Sequence, residues 1–205
     1  MKSCVLLAVA GFASGALGQT ASLSIVASQT IVDSSVSTSI TLAVYGDADL
    51  GTHIASARFG LSATGGAGVV DGIALGAVAS WGVLGEEDLG DGGDGNHNGI
   101  HLGQIIFSPF IPPDPASALG SGPVLLANFT VSIAAGSFGV IDWALVGLHD
   151  GINPTLETFA AHPATEGNFY PFEPDFGSAS VQVIPAPSGM ALLGLGGLVA
   201  GRRRR

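Results

Sequence analysis

Apolar and polar residues alternate with a period of two in five segments of this chain. In the clearest segment, Ile40, Leu42 and Val44 are separated by small or polar residues. The five segments are 22–25, 39–44, 55–62, 127–133 and 178–183. Successive side chains of a strand point to opposite faces, so each segment predicts a half-buried β-strand. Weaker strand candidates are 69–78, 100–107 and 140–146.

These segments predict an all-β domain over residues 19–184. About eight strands are expected, joined by Gly-rich turns, and no segment has the periodicity of an amphipathic helix. The composition agrees, because 32 residues are Gly and only 11% are charged. The predicted architecture is a two-sheet β-sandwich, either Ig-like or a jelly roll. From Glu86 to His101, closely spaced glycines predict irregular structure instead of strands.

Three of the strand segments also carry a family resemblance. They read ITLAVYGD, IASARFGLSAT and, later in the chain, LLANFTVSI. In order and pattern these segments resemble strands of cohesin-like and related carbohydrate-module sandwiches. The resemblance implies the sandwich fold and assigns no binding residue.

The first residues have the pattern of a secretory signal peptide. Lys2 precedes an apolar stretch over 5–17, and the small residues Ala16 and Gly18 precede Gln19. This order predicts a signal helix at 1–18, export by the Sec machinery and removal by signal peptidase. The alternative is a buried first helix. Cys4 lies before the apolar stretch, whereas lipidation needs a Cys after it, and the processed chain would contain no thiol.

The last residues form a second targeting pattern. Pro185 and Pro187 end any preceding strand, residues 190–200 are entirely apolar or Gly, and Arg202, Arg203, Arg204 and Arg205 follow. The apolar run is short for a membrane helix, which needs about 20 residues. With the arginines held on the cytoplasmic side, it is expected to span the membrane transiently.

Residues 185–205 resemble the PEP-CTERM sorting tail, which has a Pro-Glu-Pro-like motif, a short apolar helix and a basic cluster. Ala186 stands where the family motif has Glu. The resemblance implies recognition by an exosortase-like enzyme and processing near Pro185–Pro187. It also implies a Gram-negative bacterium with extracellular polysaccharide, and a destination in the cell envelope, on the outer surface or outside the cell. The alternative is a plain membrane anchor.

The charge between the two targeting segments is strongly negative. Sixteen acidic residues lie there against one basic residue, Arg58, which gives a net charge of −15 with His neutral. Such a surface repels nucleic acid and anionic lipid. A role in nucleic-acid binding is therefore not expected.

One acidic segment resembles part of a calcium loop. Asp94, Asn96 and Asn98, followed by Gly99, match the first half of the pattern Asp-x-Asn-x-Asn-Gly. The twelfth position is Ile105 instead of Glu, so an upstream carboxylate would have to complete the shell, namely Glu86, Glu87, Asp88 or Asp91. The alternatives are a solvated acidic turn and a transition-metal site on His97 and His101.

Two long loops are expected, at 109–123 and 149–177. The second contains four aromatic residues, which either stack on sugars or pack beneath their own loop. They are Phe169, Tyr170, Phe172 and Phe176. Trp81 and Trp143 are expected in the core.

No catalytic motif is present. The chain lacks the patterns Gly-x-Ser-x-Gly and His-Glu-x-x-His and has no phosphate-binding loop. The expected function is that of a non-enzymatic structural or adhesive protein, exported to the surface or to a polysaccharide matrix. The alternatives are a carbohydrate- or protein-binding module and, third, a secreted hydrolase.

Overall fold

The computed structural model describes residues 21–48, 52–78, 84–103, 123–148, 156–160, 169–172 and 174–185. These residues form β-strands and turns. None of them forms an apolar helix of membrane-spanning length. The predicted signal helix, the predicted C-terminal helix, Trp81 and the predicted loop at 109–123 lie outside the described residues.

Within the described residues, fourteen strands make up two sheets. They are β1 (Ala21–Ala27), β2 (Ile31–Asp33), β3 (Thr38–Ala48), β4 (Thr52–Thr64), β5 (Val70–Val78), β6 (Leu84–Asp88), β7 (Asp91–Gly93), β8 (Asn96–Gly103), β9 (Val124–Ile133), β10 (Gly139–Gly147), β11 (Leu156–Ala160), β12 (Phe169–Phe172), β13 (Asp175–Phe176) and β14 (Ser178–Ile184). The five-stranded sheet has the order β13-β1-β3-β9-β5. The nine-stranded sheet follows β12-β11-β4-β10-β14-β2, with β8 on β4 and with β6 and β7 on β8.

The core lies between the two sheets, and the alternation in the sequence predicted its positions correctly. Ile40, Leu42 and Val44 are buried in the five-stranded sheet. Between the sheets, the ring of Phe59 on β4 meets the ring of Phe129 on β9 edge to face, with centroids 6.5 Å apart. Trp143 is fully buried, as predicted. The all-β sandwich is therefore confirmed.

The prediction of irregular structure at 86–101 is wrong, because the segment contains part of β6, all of β7 and most of β8. The glycines do not prevent strands here. Asp94 and Gly95 have φ of 53° and 84°, so they form a two-residue hairpin turn of type I′ geometry between β7 and β8. Gly99, with φ of 131°, lies where β8 bulges against β4.

The predicted loop at 149–177 is also wrong in part. It contains β11, β12 and β13. Pro171 lies in β12 opposite Glu157. This is compatible with a strand because β12 stands last in the strand order of its sheet, and an edge strand tolerates the missing N–H of proline.

The chain enters and leaves the sandwich at opposite ends. β1 is parallel to β13, and β14 continues from β13 after Gly177, whose N–H donates to the carbonyl oxygen of Leu23. β14 then runs parallel to β2 and ends where β2 ends. Ala21 and Pro185 are therefore separated by the length of the domain, about 30 Å at the rise of an extended strand.

Candidate functional site

The three predicted calcium ligands lie in the hairpin β7–β8. Asp94 is the first residue of the turn and is exposed, while Asn96 and Asn98 lie on β8. The Asn96 amide bridges two elements: its Oδ1 accepts from the Ala63 N–H of β4 at 2.9 Å, and its NH₂ donates to the Gly93 carbonyl at 2.8 Å. The structure thus brings the three residues into one hairpin and gives Asn96 a structural role.

The hairpin is hydrogen-bonded to both sheets. Asp91 Oδ2 accepts from the Ile73 N–H of β5 at 3.1 Å, and Asp91 Oδ1 accepts from the Gly93 N–H at 2.7 Å. On the other sheet, the Trp143 indole N–H donates to the Gly95 carbonyl at 3.0 Å. The acidic segment therefore connects the five-stranded sheet to the nine-stranded sheet.

Three of the four upstream carboxylates proposed to complete a calcium shell have protein partners. Both oxygens of Asp91 accept backbone hydrogen bonds. Asp88 Oδ1 accepts from the Gly90 N–H at 2.8 Å. Glu87 Oε2 lies 3.0 Å from His101 Nδ1. Nothing is described of the Glu86 side chain. Among the described residues, no group of three or more His, Cys, Asp or Glu is placed to hold a metal ion. Calcium binding by Asp94, Asn96 and Asn98 stays a prediction.

His97 is the one charged or imidazole side chain buried within the described core. Its ring packs edge-on against Phe129, with centroids 4.7 Å apart. Nδ1 accepts from the Gly99 N–H at 3.2 Å, so the hydrogen of the neutral ring lies on Nε2. Nε2 is 3.1 Å from Asp88 Oδ1 but lacks the alignment of a hydrogen bond. Burial lowers the pKa of His97 below 6.5, outweighing the opposite effect of Asp88 and Asp91.

The alternative transition-metal site on His97 and His101 does not match this geometry. The two rings belong to different pairs, since His97 faces Asp88 and His101 faces Glu87. His97 is buried against Phe129, whereas the side chain of His101 is 25% exposed. This difference could not be predicted from the alternation of residues, because both histidines belong to one Gly-rich segment.

The predicted sorting motif begins where the domain ends. Pro185 follows β14 directly and is exposed. Ala186, Pro187, Arg202, Arg203, Arg204 and Arg205 lie outside the described residues. Of the aromatic residues in the predicted loop, Phe176 lies on β13 and is 42% exposed. The side chains of Phe169, Tyr170 and Phe172 lie outside the description.

Four exposed apolar side chains lie on the outer face of the nine-stranded sheet at the end where Pro185 follows β14, and sequence reasoning missed them. They are Ile31, Phe138, Val140 and Ile184, and we call them the Pro185 patch. Phe138, Val140 and Ile184 also line an open groove of about 400 Å³ together with Pro185. The alternation in β10 and β14 could have indicated two of them, because Val140 and Ile184 are apolar residues at strand positions whose side chains point to solvent.

Comparison with solved structures places the fold among cohesins. The chain superposes on a type I cohesin from a cohesin–dockerin complex of Clostridium thermocellum with a TM-score of 0.50 and 9% identity, covering 80% of this chain and 99% of that one. A type I cohesin from Pseudobacteroides cellulosolvens gives 0.47 and 11%, covering 82% and 96%. A type III cohesin from a cell-surface anchoring scaffoldin of Ruminococcus flavefaciens gives 0.44 and 12%, covering 80% and 87%.

No family model and no curated protein matches the chain. At 9% identity the first superposition establishes the fold alone, a cohesin-like β-sandwich. It confirms the fold that the three strand segments implied.

Proposed function

We propose that this chain is an exported, non-enzymatic protein of the cell surface or extracellular matrix, of structural or adhesive type. In this proposal the Sec machinery and signal peptidase remove residues 1–18. An exosortase-like enzyme then processes the tail near Pro185–Pro187, after the tail has held the protein in the inner membrane. Extracellular polysaccharide is the expected surrounding of the mature domain.

One observation carries the proposal: β14, the last described strand, ends in exposed residues where the predicted sorting motif begins. Val183 is buried, whereas Ile184 and Pro185 after it are exposed. Cleavage near Pro185–Pro187 would therefore remove no side chain of the described core.

The position of the tail also suits display at a surface. Because Ala21 lies at the opposite end of the sandwich from Pro185, a chain held by its tail presents its other end outward. Phe176 and the turn at Gly177 lie toward this outward end, beside Leu23 and Ser24 of β1. The net charge of −15 between the targeting segments opposes non-specific adsorption to anionic polymers.

A second candidate is a protein-binding module. It is favoured by the fold likeness to a cohesin that was solved in complex with a dockerin. Under this reading the outer surface of the sandwich binds another exported protein. Capture of a defined protein partner by the immobilised domain, without binding on a glycan array, would favour this candidate over polysaccharide binding.

The processing proposal is tested by expressing the full chain in a Gram-negative host that contains an exosortase. We expect the exported product to begin at Gln19 and to end near Pro185–Pro187, as read by N-terminal sequencing and intact mass. Deleting Gly201–Arg205 removes the positive cytoplasmic stop and should release or misplace the protein with its remaining tail uncut. Unchanged mass and placement after this deletion would overturn the sorting proposal.

A further inference from the structure

The Pro185 patch lies on two adjacent rows of the outer face of the nine-stranded sheet, with the exposed Gln182 between Val140 and Ile31. Val140 pairs with Gln182, which pairs with Ile31, so these three side chains share the outer face. One step along, Phe138 lies opposite Ile184, because Gly139 pairs with Val183. The exposed fractions are 75% for Phe138, 57% for Ile31, 50% for Val140 and 42% for Ile184.

Hydrogen bonds fix Phe138 in this exposed position. Ser34 is fully buried; its N–H donates to the Ile184 carbonyl at 3.0 Å, and its hydroxyl donates to the Ser137 carbonyl at 2.5 Å. The Gly136 N–H donates to the Ser34 carbonyl at 2.6 Å. The turn before β10 is thus attached to the end of β14. This turn therefore holds the Phe138 ring in solvent beside Val140 and Ile184.

The length of the following chain limits what this surface contacts. Met190, the first residue of the apolar run, is five residues beyond Pro185, which is at most about 18 Å of extended chain. As the predicted helix, the eleven residues 190–200 would be only about 16 Å long, whereas the hydrocarbon core of a bilayer is about 30 Å thick. Such a helix is shorter than the hydrocarbon core. With the arginines held at the cytoplasmic surface, the chain that precedes the helix would have to enter the bilayer, which would bring Pro185 close to the opposite membrane surface.

We propose that the Pro185 patch rests on the bilayer that the tail enters, with the Phe138 ring among the lipid headgroups. This inference rests on the proposed function, in which residues 190–200 enter a membrane. Aromatic rings are favoured at that depth, and the aliphatic side chains around Phe138 add apolar contact. Asp33, which pairs with Ile184 on the same face, favours zwitterionic over anionic lipid.

The test places one tryptophan at each end of the same strand face. Val140 and Val146 are both exposed valines on the outer face of β10, 50% and 43% exposed, and six residues or about 20 Å apart. The full chain, as Val140→Trp or Val146→Trp, is reconstituted into phosphatidylcholine vesicles that carry bromine on the upper acyl chain. Wild-type protein supplies the background from Trp81 and Trp143. Unchanged thermal midpoints verify that both variants fold.

We expect the added emission of Val140→Trp to be quenched at least about twofold, and that of Val146→Trp to be unchanged. Adding Phe138→Ser to Val140→Trp should lower the quenching toward the Val146→Trp level. If the protein floats with the vesicles but neither tryptophan is quenched, the patch proposal is overturned while tail insertion stands. Quenching of both added tryptophans also overturns the patch proposal. So does burial of the Val140→Trp side chain against a second copy of the chain instead of lipid. If the protein does not float, tail insertion fails and the patch proposal fails with it.

Discussion

The indole N–H of Trp143 donates to the backbone carbonyl of Gly95, 48 residues earlier in the chain, over 3.0 Å. Trp143 lies on β10 and is fully buried, and Gly95 is the second residue of the turn between β7 and β8. A Cβ on Gly95 would lie 3.6 Å from the indole nitrogen and only 3.2–3.3 Å from Val70 and Ala63. The hairpin turn is therefore packed into the core through this contact.

Trp143→Phe should destabilise the domain by about 2–3 kcal/mol. It removes a buried hydrogen bond, leaves the Gly95 carbonyl without its donor, and opens a small cavity. Chemical denaturation measures the loss, and amides of β7 and β8 should exchange faster than those of β3 and β9. Val146→Ala, on the exposed face of the same strand, should change stability by less than about 0.5 kcal/mol. Equal effects of the two variants would contradict the proposed role of Trp143.

The two phenylalanines at the centre of the core give a second test. Phe59→Ala and Phe129→Ala should each cost about 3–5 kcal/mol, because both rings are fully buried and in contact with each other. Thr130→Ala, whose side chain is exposed beside Phe129, serves as the matched control. A loss below about 1 kcal/mol for either ring would be incompatible with the observed strand phase.

The core could be predicted because it depends on a local pattern. Leu42, Phe129 and Val181 each lie on the apolar phase of a strand, and alternation alone places them inside. The hairpin β7–β8 could not be predicted in this way. Its residues are Gly, Asp and Asn, and its position depends on distant donors, namely the amides of Ala63 and Ile73 and the indole of Trp143.

The exposure of Phe138 in the Pro185 patch could not be predicted from the sequence pattern either. Phe138 was not a core candidate and fell between two strand segments, so the sequence pattern assigned it no role. Its exposure follows from Ser34, which fixes the turn from 103 residues away. Long-range hydrogen bonds of this kind leave no periodic signal in the sequence.

The lowered pKa of His97 predicts that the stability of the domain depends on pH. Burial lowers its pKa in the folded state below the ordinary value of 6.5, so the unfolded chain binds the proton more tightly. The stabilisation is complete above about pH 6.5 and is lost as pH falls toward the lowered value. Denaturant unfolding from pH 7.5 to pH 5 should show this decline. In His97→Gln the decline should be smaller. Identical slopes in the wild-type protein and in His97→Gln would contradict this assignment.

The hydrogen bonds that Asp91 accepts from Ile73 and Gly93 should contribute measurably to the stability of the domain. Asp91→Ala removes the acceptors of the Ile73 and Gly93 amides and should cost about 2–3 kcal/mol. Asp91→Asn keeps one acceptor oxygen and should cost about half as much. Asp71→Ala, an exposed carboxylate on the neighbouring strand β5, controls for the loss of one negative charge. Thermal unfolding of the three variants should therefore rank Asp91→Ala lowest.

Calcium binding at Asp94, Asn96 and Asn98 is a proposal that thermal unfolding can decide. Few acidic ligands and an exposed turn point to a dissociation constant on the order of 10⁻⁴–10⁻³ M. At tenfold excess over that constant, calcium would raise the free energy of unfolding by about 1.4 kcal/mol. The wild-type midpoint should then be higher in calcium than in chelator, and Asp94→Ala should lose the difference. Because Asp94 has a φ of 53°, alanine strains the turn by itself, and ion binding is measured by the difference between calcium and chelator within each protein. Equal wild-type midpoints in calcium and in chelator would mean that the hydrogen bonds of Asp91, Asn96 and Trp143 hold the hairpin without a cation.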